Sequence, residues 1–126
     1  NRPCMRLSGD VRLENNGGFV QIALDINERQ TINIEDYKGF LLDIHGNAEE
    51  YNMHLRTDET RRPWQSYRAT FQALPSWQTI VLPFSQFEPY RIESPMDPAD
   101  IRRIGIVAIG RAFAANLCIG RVALYK

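Results

Sequence analysis

Strict alternation of apolar and polar residues is the feature that most constrains how this chain can fold. Residues 20–26 carry valine, isoleucine or leucine at every second position, and apolar side chains recur with the same period in residues 40–44, 51–55 and 67–71. A period of two places alternate side chains on opposite faces of a β-strand. These segments are therefore predicted to be antiparallel strands with one packed and one solvated face.

Turn-forming residues separate the alternating segments. Asn15-Asn16-Gly17-Gly18 predicts a hairpin turn between the first two strands, and prolines interrupt the later stretches. One short helical turn is predicted over residues 97–103, with Asp97 as its N-cap and Pro98 at the first helical position. About eight short strands with turns between them predict an all-β jelly-roll sandwich, formed by a single domain over residues 1–126 with at most this one short helix.

The inward-facing positions of these strands make up the predicted core. More continuous apolar runs at residues 77–82, 104–109 and 117–125 predict further strands that are covered on both faces or lie in the middle of the sandwich. The predicted core residues are Val20, Ile22, Leu24, Phe40, Leu42, Ile44, Met53, Leu55, Ala69, Phe71, Val81, Ile104 and Ile106.

The balance of charged residues disfavours some classes of binding partner. Fifteen lysines and arginines against fifteen acidic residues leave a formal net charge of zero. This balance removes the usual electrostatic basis for binding nucleic acid or an anionic membrane surface. No apolar run approaches the roughly 20 residues that a membrane-spanning helix needs, so direct membrane insertion is not expected.

Cys4 and Cys118 are too few for a disulfide scaffold or a zinc knuckle. They lie near opposite ends of the chain, where strands of a sandwich can be neighbours, so a bridge between them is one alternative. Because the printed sequence has no secretory signal, we expect two reduced and mostly buried thiols.

Motifs for catalysis and cofactor binding are not found in the sequence. It has no Gly-x-Ser-x-Gly elbow, no Gly-Lys-Ser/Thr phosphate loop and no Gly-x-Gly-x-x-Gly turn between a strand and a helix. We therefore predict no catalytic residues, no cofactor and a non-enzymatic role.

A polar band is predicted when the third and fourth strands are paired so that Ile44 faces Met53. Asp43 then lies opposite His54, and His45 lies opposite Asn52. Asp43 and the two histidines are residue types that zinc accepts, but no close ligand spacing accompanies them, so a hydrogen-bonded polar face is favoured and no metal site is predicted. The predicted band, a candidate ligand face, comprises Asp43, His45, Asn52, His54, Arg56, Arg68 and Gln72.

Two loops combine cationic and aromatic residues, the types enriched at the energetic centres of protein interfaces. The first carries Arg61, Arg62 and Trp64, and the second carries Tyr90 and Arg91 after Phe87, which we expect to be buried. We predict that these two loops form one partner-binding surface. The alternative is that both loops cover the edges of the sandwich.

Six segments, read in order, resemble the conserved motifs of one family. The first fits G-x-V-x-x-E-N-x-G-G-F, and the fifth fits W-x-x-V-x-L-P-F-x-x-F-x-P with Ile80 in place of the valine. The family is that of complex I intermediate-associated protein 30, and the similarity covers nearly the whole chain. The matching segments are residues 7–19, 37–40, 45–47 with 51–56, 67–71, 77–89 and 101–105.

The resemblance implies a galactose-binding-like jelly roll and a role in assembling NADH:ubiquinone oxidoreductase. The implied partner is a protein, an assembly intermediate of a larger complex, and the implied compartment is the bacterial cytoplasm or the mitochondrial matrix. The family's first strand, with its Trp, Asp and Met-Gly-Gly turn, is not found before Asn1. Ile92 replaces a glycine of the family pattern, and Ala115 replaces a phenylalanine.

Two main functions follow as hypotheses. The first is a protein-interaction module of the assembly-factor type. The alternative is a carbohydrate-binding module of jelly-roll type that uses the polar band and Trp64, since concave jelly-roll faces commonly hold such sites. An enzyme or metal protein without a recognisable motif is a third possibility.

Overall fold

The computed structural model describes residues 3–13, 18–25 and 34–126. Strands dominate this part of the chain, as the alternating pattern predicts. The strands are β1 (Met5–Val11), β2 (Phe19–Asp25), β3 (Gly39–His45), β4 (Glu49–Thr57), β5 (Ser66–Ala73), β6 (Trp77–Pro83), β7 (Glu88–Tyr90), β8 (Ile101–Ile109) and β9 (Phe113–Tyr125).

The strands form two antiparallel sheets. The four-stranded sheet has the order β1-β9-β3-β6, and the five-stranded sheet has the order β2-β8-β4-β5-β7. Strands that are distant in sequence are neighbours in space: β1 pairs with β9 and β2 pairs with β8. The predicted all-β jelly-roll sandwich is confirmed.

Helical structure in the described residues is limited to three short 3₁₀ turns, Ile34–Asp36, Phe84–Gln86 and Pro98–Asp100. In the third turn, the Asp97 carboxylate accepts a hydrogen bond from the Ala99 backbone N–H at 3.0 Å, which confirms the N-cap. The predicted turn over residues 97–103 is shorter than expected because β8 begins at Ile101. Within these residues, no helix has the length and apolar character needed to cross a membrane.

The core lies between the sheets and largely follows the predicted positions. Val20 and Ile22 are partly buried against it, and the Leu24 side chain lies outside the described set. The predicted core residues that are buried are Phe40, Leu42, Ile44, Met53, Leu55, Ala69, Phe71, Ile104 and Ile106.

Val81 is the wrong core prediction, since its side chain is 50 % exposed whereas Leu82 is 1 % exposed. In the register of β3 with β6, Leu82 lies opposite Phe40 and Val81 lies opposite Leu41. Cross-strand partners share a face, so Leu82 takes the inner position. An uninterrupted apolar run carries no signal that distinguishes the two faces of its strand.

The predicted pairing of β3 with β4 is also wrong. β3 pairs with β6 and β9, whereas β4 pairs with β5 and β8 in the other sheet. Gly46 and Ala48 carry the chain between the sheets, and their backbone N–H groups donate to the carbonyls of Leu74 and Ala73 at 2.8 and 2.7 Å. The connection is therefore an arch between the sheets and not a hairpin.

The predicted hairpin at Asn15-Asn16-Gly17-Gly18 fails for the same reason, because β1 and β2 belong to different sheets. Residues 14–17 lie outside the described set, and Gly18 donates its N–H to the Arg12 carbonyl at 2.6 Å. A turn signal in the sequence does not show which strands pair on either side of it.

The expectation of reduced thiols is wrong, because Cys4 and Cys118 form a disulfide with their Cα atoms 5.5 Å apart. β1 and β9 are adjacent strands in which Met5 lies opposite Ile119. The pairing of these strands brings together two cysteines separated by 114 positions in sequence.

Gly46→Ala should destabilise the domain strongly. A Cβ at this position would lie 2.3 Å from the Ala73 Cβ and 2.6 Å from the Ala73 carbonyl oxygen. We expect a loss of about 2–4 kcal/mol in urea unfolding, because backbone must shift to relieve the overlap. Ala48→Gly is the control: Ala48 has a φ of 69°, which glycine adopts more easily, so that variant should keep its stability. Equal stability of Gly46→Ala and the unmodified protein would contradict the packing described here.

Candidate functional site

The predicted polar band is divided between the two sheets. Asp43 and His45 lie on β3 of the four-stranded sheet, where Asp43 accepts a hydrogen bond from Thr79 Oγ1 at 2.7 Å and pairs with Arg121 Nε at 3.0 Å. The His45 ring packs edge-on to Trp77 with the ring centres 5.8 Å apart. Asp43 and His45 are therefore separated from His54, and the described residues contain no cluster of metal-ligating side chains.

The rest of the band lies on the five-stranded sheet. Asn52 accepts a hydrogen bond from Thr70 Oγ1 at 2.7 Å, and the Gln72 amide donates to the Ala48 carbonyl at 3.2 Å. In the register of the strands, His54 lies opposite both Gly105 and Arg68. Arg56 lies opposite Arg103 in the same register.

This outer face contains a groove of about 410 Å³. Gly105 has no side chain, which leaves a depression in the surface of the sheet at this position. A Cβ added to Gly105 would lie 3.3 Å from Gln21 Oε1. The lining includes arginines and a histidine, and among the residues that the structure describes none that lines the groove is acidic. The lining residues are Phe19, Gln21, Ala23, His54, Arg56, Arg61, Pro63, Gln65, Ser66, Arg68, Arg103 and Gly105.

His54 contributes to the groove as a neutral ring. Burial disfavours its charged form, and the nearby Arg68 guanidinium acts in the same direction, so the pKa of His54 falls to about 4. Its Nε2 is buried and has no hydrogen-bond partner among the described residues. The positive charge of the groove therefore comes from its arginines.

Arg56 holds the loop that follows β4. Its guanidinium donates hydrogen bonds to the carbonyl oxygens of Thr60, Arg62, Pro63 and Gln65 at 2.7 to 3.1 Å. These charge-assisted bonds use the fixed fork of donors that arginine provides. The loop carrying the first group of predicted site residues is therefore fixed to the sheet, and Arg56 is a positioning residue.

The two predicted loops meet at one edge of the five-stranded sheet. β7 pairs with β5 so that Tyr90 lies opposite Ser66, and Gln65 Nε2 donates to the Arg91 carbonyl at 3.1 Å. Trp64 is 56 % exposed and Tyr90 is 37 % exposed, whereas Phe87 is buried as expected. We call this surface the rim; it comprises Arg61, Arg62, Trp64, Tyr90 and Arg91.

Arginines lie close to both aromatic rings of the rim. The Arg68 guanidinium is 3.6 Å from the centre of the Tyr90 ring, and that of Arg91 is 5.4 Å from it. The Arg62 guanidinium is 6.0 Å from the centre of the Trp64 ring. The rim therefore combines cation–π contacts with exposed aromatic rings. Both features are typical of the energetic centre of a protein interface.

The groove continues past the rim into a second depression of about 430 Å³. This part is more apolar, and Val107, although it is on the outer face, is only 1 % exposed. Phe19 and Arg103 were missed as site residues, because it is the pairing of β8 with β2 and β4 that brings them to the groove. The residues lining the second depression are Leu13, Gly18, Phe19, Gln21, His54, Pro63, Trp64, Arg68, Tyr90, Val107, Ile109 and Gly110.

The protonation of His54 predicts a specific dependence of stability on pH. The unfolded chain takes up a proton near pH 6.5 and the folded protein only near pH 4, so the free energy of unfolding should decrease as the pH falls between these values. The expected loss is about 2–3 kcal/mol, allowing for the partial exposure of the ring. Urea unfolding of the unmodified protein and of His54→Gln isolates the effect, because the carboxylates contribute to both. Parallel losses in the two proteins would contradict the assignment.

Comparison with known families gives one match to nearly the whole chain. The family model for complex I intermediate-associated protein 30 matches residues 1–119. Among curated protein sequences, none matches this chain.

Solved structures with a similar fold include carbohydrate-binding modules. The family 11 module of the cellulosomal cellulase Lic26A-Cel5E of Clostridium thermocellum has a TM-score of 0.68 and 13 % identity, over 100 % of this chain and 84 % of that chain. A complex of the Clostridium thermocellum family 11 module with a beta-1,3-1,4-mixed-linked tetrasaccharide has the same TM-score and identity, over 100 % and 85 % of the two chains. A family 30 module has a TM-score of 0.69 and 15 % identity, over 97 % and 76 %. At these identities the likeness shows a common fold.

Proposed function

The chain belongs to the complex I intermediate-associated protein 30 family, and from this we propose that it is a non-enzymatic protein-interaction domain that assists assembly of a larger respiratory complex. One observation supports the location of the proposed partner-binding site: two loops from different parts of the chain meet as the rim beside the groove. Tryptophan, tyrosine and arginine are the residues enriched at interface hot spots. Loops held by a rigid sheet are the usual place for such contacts.

The rim combines exposure with rigidity, which favours binding. Arg56 fixes the first loop through four carbonyl oxygens, and the pairing of β5 with β7 fixes the second. A surface that is already ordered loses less conformational entropy when a partner binds. We propose that the domain binds a protein, an assembly intermediate, and that it neither binds nucleic acid nor inserts into a membrane.

The test is affinity purification of the tagged protein from its native host, with partners identified by mass spectrometry. The double variant Trp64→Ala with Arg91→Ala should lose most of the partner while its melting temperature is unchanged. Val81→Ala with Arg121→Ala is the matched control, since it removes an exposed apolar side chain and an arginine from the four-stranded sheet. Normal recovery with the rim variant, or a loss that occurs only as that variant unfolds, would contradict the proposal.

Carbohydrate binding is the second candidate function. The position of the groove on a sheet face favours it, as does the fold shared with modules of which one was solved with a tetrasaccharide. This function predicts heat release on titration with an oligosaccharide and its loss in Trp64→Ala. A broad glycan array without a single hit would exclude it.

The compartment we propose is the one implied by the family, the bacterial cytoplasm or the mitochondrial matrix. Thiols in such compartments are kept largely reduced, whereas Cys4 and Cys118 are bridged in the structure, so the state of this pair in cells tests the proposed compartment. Alkylation of thiols in intact cells followed by mass spectrometry measures the bridged fraction. A fully bridged protein in cells would instead place it in an oxidising compartment.

A further inference from the structure

The groove is a concentration of positive charge in a chain whose formal net charge is zero. Six of the described arginines lie in the groove or on the rim, and no acidic side chain in the described part of the chain lines the groove. They are Arg56, Arg61, Arg62, Arg68, Arg91 and Arg103. A cleft lined by one sign of charge concentrates ligands of the opposite sign.

The donors that face the groove are only partly used within the domain. Arg68 donates through Nε to Ser66 Oγ at 2.8 Å and places its face on Tyr90, and no described residue accepts from its two Nη atoms. The Arg61 guanidinium is exposed and has no hydrogen-bond acceptor among the described residues. Glu88 lies opposite Arg68 in the β5–β7 pair, but the Arg68 guanidinium is stacked on Tyr90 and forms no ion pair with this carboxylate.

From this geometry we propose that the groove binds an acidic segment of the protein partner, with carboxylates paired to Arg61 and to the Nη atoms of Arg68. Arginine is suited to this contact because its planar fork matches a carboxylate with two parallel hydrogen bonds. The proposal rests on the protein-interaction function above and names the chemistry of the segment that the groove receives.

The same contacts argue against a neutral sugar as the occupant. A pyranose ring stacks on an open aromatic face, whereas one face of Tyr90 is covered by Arg68 at 3.6 Å. Trp64, the more exposed ring, lies in the second depression beside the cationic groove. Aromatic side chains here position guanidinium groups for carboxylates.

The probe for the test is a fluorescein-labelled oligo-glutamate peptide, and binding is measured by fluorescence anisotropy on the intact protein. We expect oligo-glutamate to bind, oligo-glutamine and oligo-lysine of equal length not to bind, and the affinity to fall as sodium chloride is added. Arg61→Gln and Arg68→Gln should each weaken binding by about tenfold or more, because each removes charge-assisted hydrogen bonds. Arg121→Gln on the other sheet should bind normally.

Three results would overturn the proposal: no binding of oligo-glutamate at low salt, equal binding of oligo-glutamine, or unchanged binding by Arg61→Gln, which is exposed and should fold. Displacement of the peptide by a neutral oligosaccharide or by oligothymidine would also overturn it, since the groove would then serve another class of ligand. If the rim variant loses its native partner but oligo-glutamate does not bind, the protein-interaction function stands and only the acidic-segment assignment fails.

Discussion

Reduction of the Cys4–Cys118 disulfide should lower the free energy of unfolding by about 4–5 kcal/mol. The bridge closes a loop of 114 residues, and in the chain-entropy description a loop of this length restricts the unfolded state by about that amount. A domain of this size typically has a total stability of about 5–15 kcal/mol, so the loss is a large fraction. Urea unfolding with and without dithiothreitol measures it.

The control for the disulfide is the double variant Cys4→Ala with Cys118→Ala. It should match the reduced protein and should not respond to dithiothreitol. If oxidised and reduced protein unfold at the same urea concentration, the bridge contributes no stability and the closing of the first strand onto the last depends on β-pairing alone.

Phe71→Ala should cost about 3–5 kcal/mol, the typical range for deleting a buried aromatic ring. Phe71 is 5 % exposed and stacks on Tyr51 with the ring centres 6.2 Å apart. Tyr51 is itself fully buried, and its hydroxyl donates to Asn47 and accepts from the Asn116 N–H. Removing the Phe71 ring thus leaves a cavity beside a side chain that is fixed at its other end.

Val81→Ala is the comparison for Phe71→Ala. Sequence pattern places both residues in the core, but Val81 is 50 % exposed, so its truncation should change stability by less than about 0.5 kcal/mol. The size of the Val81→Ala loss therefore reports the orientation of β6, and the Phe71→Ala loss shows what a buried position costs. A loss of about 2 kcal/mol or more for Val81→Ala would mean that Val81 and not Leu82 faces the core.

Strict alternation was sufficient to identify β2, β3, β4 and β5 and the inner face of each. Phe40, Leu42 and Ile44 alternate with polar or partly exposed positions, and all three are buried. The partner of each strand was not available from this signal, because period two describes a strand and not its neighbour. Gly46 illustrates the difference, since it marks an end of β3 but carries the chain into the opposite sheet.

The candidate site, like the fold, could be predicted only in part from the sequence. Composition predicted that Trp64 and Tyr90 are exposed in loops, and they are, whereas the binding role of the rim stays a prediction. The groove could not be predicted, because it arises where Gly105 and His54 meet across β4 and β8, which are distant in sequence. The band that included Asp43 depended on an incorrect strand pair and was divided for that reason.

Site-specific photo-cross-linking in the native host tests most directly whether the rim is the partner surface. A benzophenone amino acid replaces Trp64 in one protein and Val81 in another; the two positions are similarly exposed, at 56 % and 50 %, but belong to opposite sides of the sandwich. We predict that position 64 cross-links to a protein partner and that position 81 does not. Cross-linking from position 81 with none from position 64 would contradict the assignment and place the partner on the four-stranded sheet.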